Sequence, residues 1–164
     1  MKNEIKNIRV WIIFFMIALF LSGLTAMPLE TELSFVLRFI STDSGIGKFI
    51  QTVYDALRQT NLHYPVLSYG YDWLAFAHYV LALLFIGPLK DPVRNKWVIE
   101  FGMIACALII PFAFIAGHYR QIPIAWRLID CSFGLFGMIP LTIVYVKIIY
   151  LETNFKTINK PSKP

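Results

Sequence analysis

From Val10 to Met27 the chain reads VWIIFFMIALFLSGLTAM, with no charged residue, and then meets Pro28. A helix crossing the hydrocarbon core of a bilayer needs roughly 17–25 mostly apolar residues, and this run meets that length. Three further runs repeat the pattern. Trp73–Leu89 lies between Asp72 and Lys90 and is interrupted by His78. Trp97–Tyr119 carries Glu100 near its start and His118 near its end, and Leu128–Leu151 has Asp130 and Lys147 close to its two ends. Composition agrees, since 57% of the 164 residues are apolar and 15% charged, against about 45–50% and about 25% in a soluble domain. These features exclude a soluble α/β enzyme, a disordered chain and a disulfide-stapled secreted module. They predict an all-α, polytopic membrane protein, a four-transmembrane-helix bundle over residues 1–164, with spans at 10–27, 73–89, 97–119 and 128–151.

The first run has a basic start, as a signal peptide would, but its apolar stretch is longer than a typical signal core. A cut after Ala26 would also place Leu24 where a small residue is required. It reads as an uncleaved anchor. Orientation follows from the Lys and Arg count on each side. Lys2, Lys6, Arg9, Lys90, Arg94, Lys96, Lys147, Lys156, Lys160 and Lys163 fall on one face, which is ten of the fifteen; Arg38, Lys48, Arg58, Arg120 and Arg127 fall on the other. Both termini are therefore expected in the cytoplasm, in a plasma (inner) membrane. The net charge of +5 is an orientation and lipid-headgroup signal, and no nucleic-acid partner is expected.

The outer loop, residues 28–72, is too long for a structureless connection. Its apolar residues follow a helical period: Leu29, Leu33, Val36, Leu37 and Ile40, then Ile46, Phe49, Ile50, Val53 and Leu57. Lys48, Gln51, Thr52, Asp55, Arg58 and Gln59 form the opposite face of the second set. Ser41-Thr42-Asp43-Ser44-Gly45 divides the sets and supplies N-cap chemistry. Two interfacial amphipathic helices are expected here, as a cover or a lid for the bundle mouth. An aromatic stretch, Tyr64 to Tyr71, follows at the interface. The tail after Asn154 is expected to fray.

Ionisable residues collect near the outer ends of the spans: Asp72 as a cap on the second, His78 about 9 Å below it at the helical rise, His118 and Arg120 closing the third, Arg127 and Asp130 opening the fourth. Charges in spans are costly and face partners or water, so these six residues form the candidate binding site. Arginine suits an anionic headgroup because its planar fork donates bidentately to phosphate. The bland alternative is an ordinary ion pair of Asp130 with Arg127 or Arg120. Glu100, near Arg94 and Lys96, reads as an inner-face ion pair.

Three functions follow. The first is non-catalytic binding of an anionic lipid or envelope headgroup, or of a partner subunit or second copy, with no cofactor. The second is electron transfer with one haem b ligated by His78 and His118. The third is an enzyme acting on a lipid-linked substrate, with a histidine base oriented by Asp130. No P-loop, HExxH, CxxC or GxSxG motif is present. Cys106 and Cys131 sit at different depths and read as packing residues. So do the small-xxx-small pairs Gly102/Cys106 and Ala113/Gly117 on the third span, which let helices approach closely, and Gly134 and Gly137 do the same on the fourth.

From Asp72 to Leu141 the chain resembles the VanZ-like small membrane proteins, named for a role in teicoplanin resistance, on Asp72, His78, Asp130, Gly134 and Gly137. Asp72 and His78 stand farther apart than that family's usual pair, and Gly134 occupies a position where the family tends to have asparagine. The resemblance implies an outer-face role near envelope lipids or glycans and carries over no reaction.

Overall fold

The computed structural model describes the backbone of residues 2–158 and the side chains of residues 3–154. Lys160 and Lys163, part of the positive-inside count, lie outside that range. The described residues are 86% helix, with no strand among them. Among the described residues the helices are, in order, α1 (Lys2–Ala26), α2 (Leu29–Val36), α3 (Gly45–His63), α4 (Pro65–Leu84), α5 (Ile86–Lys90), α6 (Lys96–Tyr119) and α7 (Ile124–Ile158). Four segments are long and apolar enough to cross a membrane: Asn3–Ala26, Pro65–Lys90, Lys96–Tyr119 and Ile124–Asn154. They expose large apolar side chains, with Phe112 at 71%, Phe136 at 70% and Val10 at 57%. Among the described residues no charged or polar side chain is buried.

Several helix ends differ from the sequence reading. α4 starts at Pro65, not Trp73, because proline suits a first helical turn, where its missing N–H is not needed. The aromatic stretch Tyr64 to Tyr71 is therefore helical from Pro65 onward. Asp72 lies about 10 Å along α4 at the helical rise and is not its cap. The same run breaks at Phe85, where α4 gives way to α5. Pro88 causes the break, since it lacks an N–H for the Leu84 carbonyl and its ring crowds that oxygen. α2 closes at Val36, and the next turn tightens through Arg38 N–H to Phe35 O and Phe39 N–H to Val36 O, which leaves Ile40 outside the helix. α7 stays helical to Ile158, past the point where the tail was expected to fray.

The chain divides into two compact units. One comprises Met1–Ile17 and Leu83–Pro164. Its core holds Ile8, Ile12, Phe15, Phe85, Ile99, Leu141, Val144 and Ile148, each at most 7% exposed. Phe15 and Phe85 meet ring to ring at 4.8 Å. The expected small-residue seam is present: Gly102 faces the Phe85 ring and Leu141, and a Cβ on Gly134 would stand 2.5 Å from the Cys106 carbonyl oxygen. Cys106 and Cys131 are buried free thiols.

The other unit is Ala18–Ala82. Ser44 provides the N-cap of α3, its Oγ accepting the Gly47 N–H at 3.0 Å. Ile50 and Leu57 bury the apolar face of α3, and Leu33 that of α2, as their helical period requires. Gly23 lets α1 approach α4 closely, since a Cβ there would stand 2.9 Å from the Ala75 carbonyl oxygen and from His78 Cβ.

Candidate functional site

The six expected site residues divide between the units: Asp72 and His78 belong to Ala18–Ala82, and His118, Arg120, Arg127 and Asp130 to the other. His78 is half-buried, and its Nδ1–H donates to the Leu74 carbonyl at 2.8 Å. A carbonyl can only accept, so in the neutral ring Nε2 is the lone-pair nitrogen. His63 makes the same contact with Gln59 O at 3.1 Å, so the geometry is a local habit of helical histidine here. With α4 starting at Pro65, His78 lies about 20 Å along its helix rather than about 9 Å.

His118, Arg120 and Arg127 lie at and beside the α6–α7 turn. α6 closes in a Schellman motif: Ile122 N–H donates to Gly117 O at 2.9 Å, Gln121 N–H to His118 O at 3.2 Å, and Gln121 takes φ 55°. Arg127 is spent on this turn, because its Nε donates to Ile122 O at 2.7 Å. Its stem lies across Gly117, where a Cβ would come within 2.8 Å of Cδ. Gly117 thus receives a side chain, not a neighbouring backbone. Among the described residues Asp130 forms no salt bridge with Arg127 or Arg120. Arg120 and His118 are exposed.

The expected Glu100 ion pair is also replaced. Lys96 pairs with Glu152 at 3.1 Å, and Lys147 pairs with Glu4 at 2.7 Å. Both pairs tie the end of the unit at which α5, the α5–α6 loop and the start of α1 come together. Arg9 closes α5 there, its Nε and Nη2 donating to Leu89 O at 3.0 Å and Lys90 O at 3.2 Å. Asn95 Nδ2 donates to Gly87 O and Asp91 O, and Arg94 N–H to Asp91 Oδ1 at 3.0 Å. This loop frames a cleft of about 470 Å³, where Arg9, Lys90 and Arg94 face one carboxylate, Asp91. Satisfying the α5 carbonyls fixes the loop, and the fixed loop holds its cations in place.

A second cleft, about 380 Å³, opens in the Ala18–Ala82 unit between Pro28, α2, α3 and α4. A hydrogen-bond chain builds its wall: Ser68 Oγ donates to Asn61 Oδ1, and Asn61 Nδ2 donates to Glu30 Oε2 at 2.6 Å. Asp72 also lines it. Sequence reasoning missed Glu30, Asn61 and Ser68, whose partners lie 31 and 7 residues apart in the chain and follow no motif. The legible trace was the i, i+3, i+4, i+7 stripe of Pro65, Ser68, Tyr69 and Asp72 on one face of α4. Among the described residues no group of three or more His, Cys, Asp or Glu stands ready for a metal ion.

No family model, no curated protein and no solved structure matches this chain, so the resemblance to VanZ-like proteins rests on Asp72, His78, Asp130, Gly134 and Gly137 alone.

Proposed function

We propose that this chain is a multi-pass protein of a plasma (inner) membrane that binds an anionic lipid headgroup without covalent chemistry. In this reading the four long helices cross the bilayer, α2 and α3 lie at its outer surface, and both termini are cytoplasmic. The observation that carries it is the cleft of about 470 Å³ beside the ends of apolar helices, with Arg9, Lys90 and Arg94 against Asp91 alone. In the proposed orientation that cleft faces the cytoplasmic leaflet, whose anionic lipids attract such clusters by about 1 kcal/mol per basic side chain. Arg120 and His118, exposed at the opposite end of α6, supply a lesser contact at the outer leaflet. The VanZ-like resemblance points toward envelope lipids as well.

The test is the lipid that stays with the purified protein. Lys90→Gln with Arg94→Gln should cut retained phosphatidylglycerol by about thirtyfold, as the loss of two headgroup contacts of about 1 kcal/mol each implies. Arg120→Gln should cut it less. Arg127 is unsuited to this test, because it holds the α6–α7 turn. Unchanged retention in the Lys90/Arg94 variant contradicts the reading. A bis-histidine haem b is the second reading, favoured by the free Nε2 of His78; an absorbance spectrum with a Soret band that shifts on reduction would replace the first reading with it.

A further inference from the structure

Asp72 stands where two clefts of the Ala18–Ala82 unit meet. One is the polar cleft of about 380 Å³. The other, about 240 Å³, is lined by Asp72 with Tyr69, Trp73 and Phe76. These three rings run edge to face along α4, Tyr69 to Trp73 at 5.9 Å and Trp73 to Phe76 at 5.7 Å. A carboxylate therefore sits between a hydrogen-bonding chamber and an aromatic trough.

The charge balance is one-sided. Glu30 and Asp72 line the polar cleft, and none of its described lining residues is Lys, Arg or His. Glu30 accepts from Asn61, whereas Asp72 makes no hydrogen bond or ion pair among the described residues. Asp72 also belongs to a helix apolar enough to span a membrane, where an ionised carboxylate calls for a counter-charge or water. An anion would be repelled here. A small metal ion would need a shell of several oxygens; among the described residues no group of three or more His, Cys, Asp or Glu gathers to supply one, and the trough adds only the Tyr69 hydroxyl to Asp72. An ammonium group meets both demands at once, since it pairs with a carboxylate and is attracted to aromatic faces.

We propose that this junction binds the alkylammonium head of an amphiphile, with the cation against Asp72 and Glu30 and the adjoining chain along Tyr69, Trp73 and Phe76. An aminolipid and a free alkylammonium share this chemistry. The site lies in a different unit from the Lys90–Arg94 cleft and takes the opposite charge, so it stands or falls separately.

The test is native mass spectrometry of the full chain in a neutral detergent, with phosphatidylethanolamine and phosphatidylglycerol of identical acyl chains. Asp72→Asn should lose about tenfold in phosphatidylethanolamine binding, the effect of one lost charge contact, and keep phosphatidylglycerol unchanged. Asp72→Glu, which keeps the charge, should keep most of the ethanolamine lipid. Circular dichroism should show the helix content of both variants unchanged. If Asp72→Asn loses helix, Glu30→Gln with Trp73→Ala at native helix content should show the same selective loss. Free ethanolamine that displaces the lipid identifies a soluble alkylammonium as the ligand; lipid that resists it identifies the aminolipid. Equal phosphatidylethanolamine binding by wild type and Asp72→Asn, or an equal fall for both lipids, overturns the proposal.

Discussion

Gly134 and Asn61 hold their respective units together by different physics. At Gly134 the absence of a side chain lets α7 reach the backbone of α6 at Cys106, so that unit is stabilised by apolar contact across a seam of small residues. At Asn61 a single amide joins three helices, accepting from Ser68 on α4 and donating to Glu30 on α2. The Ala18–Ala82 unit is thus organised around a polar wall open to a cleft, while the other packs along an apolar seam. The clefts differ in sign accordingly: Arg9, Lys90 and Arg94 dominate one, Glu30 and Asp72 the other. A seam of glycine tolerates no added atom but needs no partner. A polar wall tolerates volume change but fails when one partner is removed.

The largest effect should come from Gly134→Ala. The added Cβ meets a backbone oxygen that cannot rotate away, so α6 and α7 must part; thermal unfolding in detergent should show a loss of about 1–3 kcal/mol. Gly70→Ala is its counterpart in the polar unit. Nothing lies within 4 Å of a Cβ there, and the helix gains about 0.5–1 kcal/mol from the substitution. Equal costs at the two sites would erase the distinction between the units.

Next comes Asn61→Ala, which leaves Glu30 and Ser68 without their shared partner. It should cost about 1 kcal/mol and appear as roughly fivefold faster hydrogen exchange in α2 and α3, with α6 and α7 unaffected. Exchange rising across the whole chain would mean that the polar wall supports more than its own unit. The smallest effect is a gain. Gln121 pays for a left-handed conformation that glycine adopts freely, so Gln121→Gly should raise stability by up to about 1 kcal/mol. A loss there would mean that the Gln121 side chain contributes a contact of its own.

The sequence carried the four long helices because apolar runs of spanning length need no tertiary information. The N-cap chemistry of residues 41–45 and the small residues Gly102, Cys106 and Gly134 were legible for the same local reason, whereas the choice of Ser44 as the cap and the meeting of Gly134 with Cys106 are set by the fold. The sequence misplaced the start of α4 because Asp72 looks like the edge of a span, whereas a carboxylate facing a cleft can sit inside a helix. The ion pairs were misassigned because Lys96 and Lys147 reach partners 56 and 143 residues away, beyond any helical spacing. Arg127 read as a free headgroup ligand because nothing in its neighbourhood reveals that Gly117 leaves a notch for its stem. Asn61 was silent, since an amide at a helix end has many uses and only the fold selects one.

The central claim is that the cationic cleft selects an anionic headgroup and the acidic cleft a headgroup that carries an ammonium. One titration tests it most directly: an equimolar mixture of phosphatidylglycerol and phosphatidylethanolamine, read by native mass spectrometry on wild type, Lys90→Gln/Arg94→Gln and Asp72→Asn. The account predicts that the first variant loses phosphatidylglycerol and keeps phosphatidylethanolamine, and that the second does the reverse. If both variants lose the same lipid, or neither loses any, the clefts do not recognise headgroups by charge.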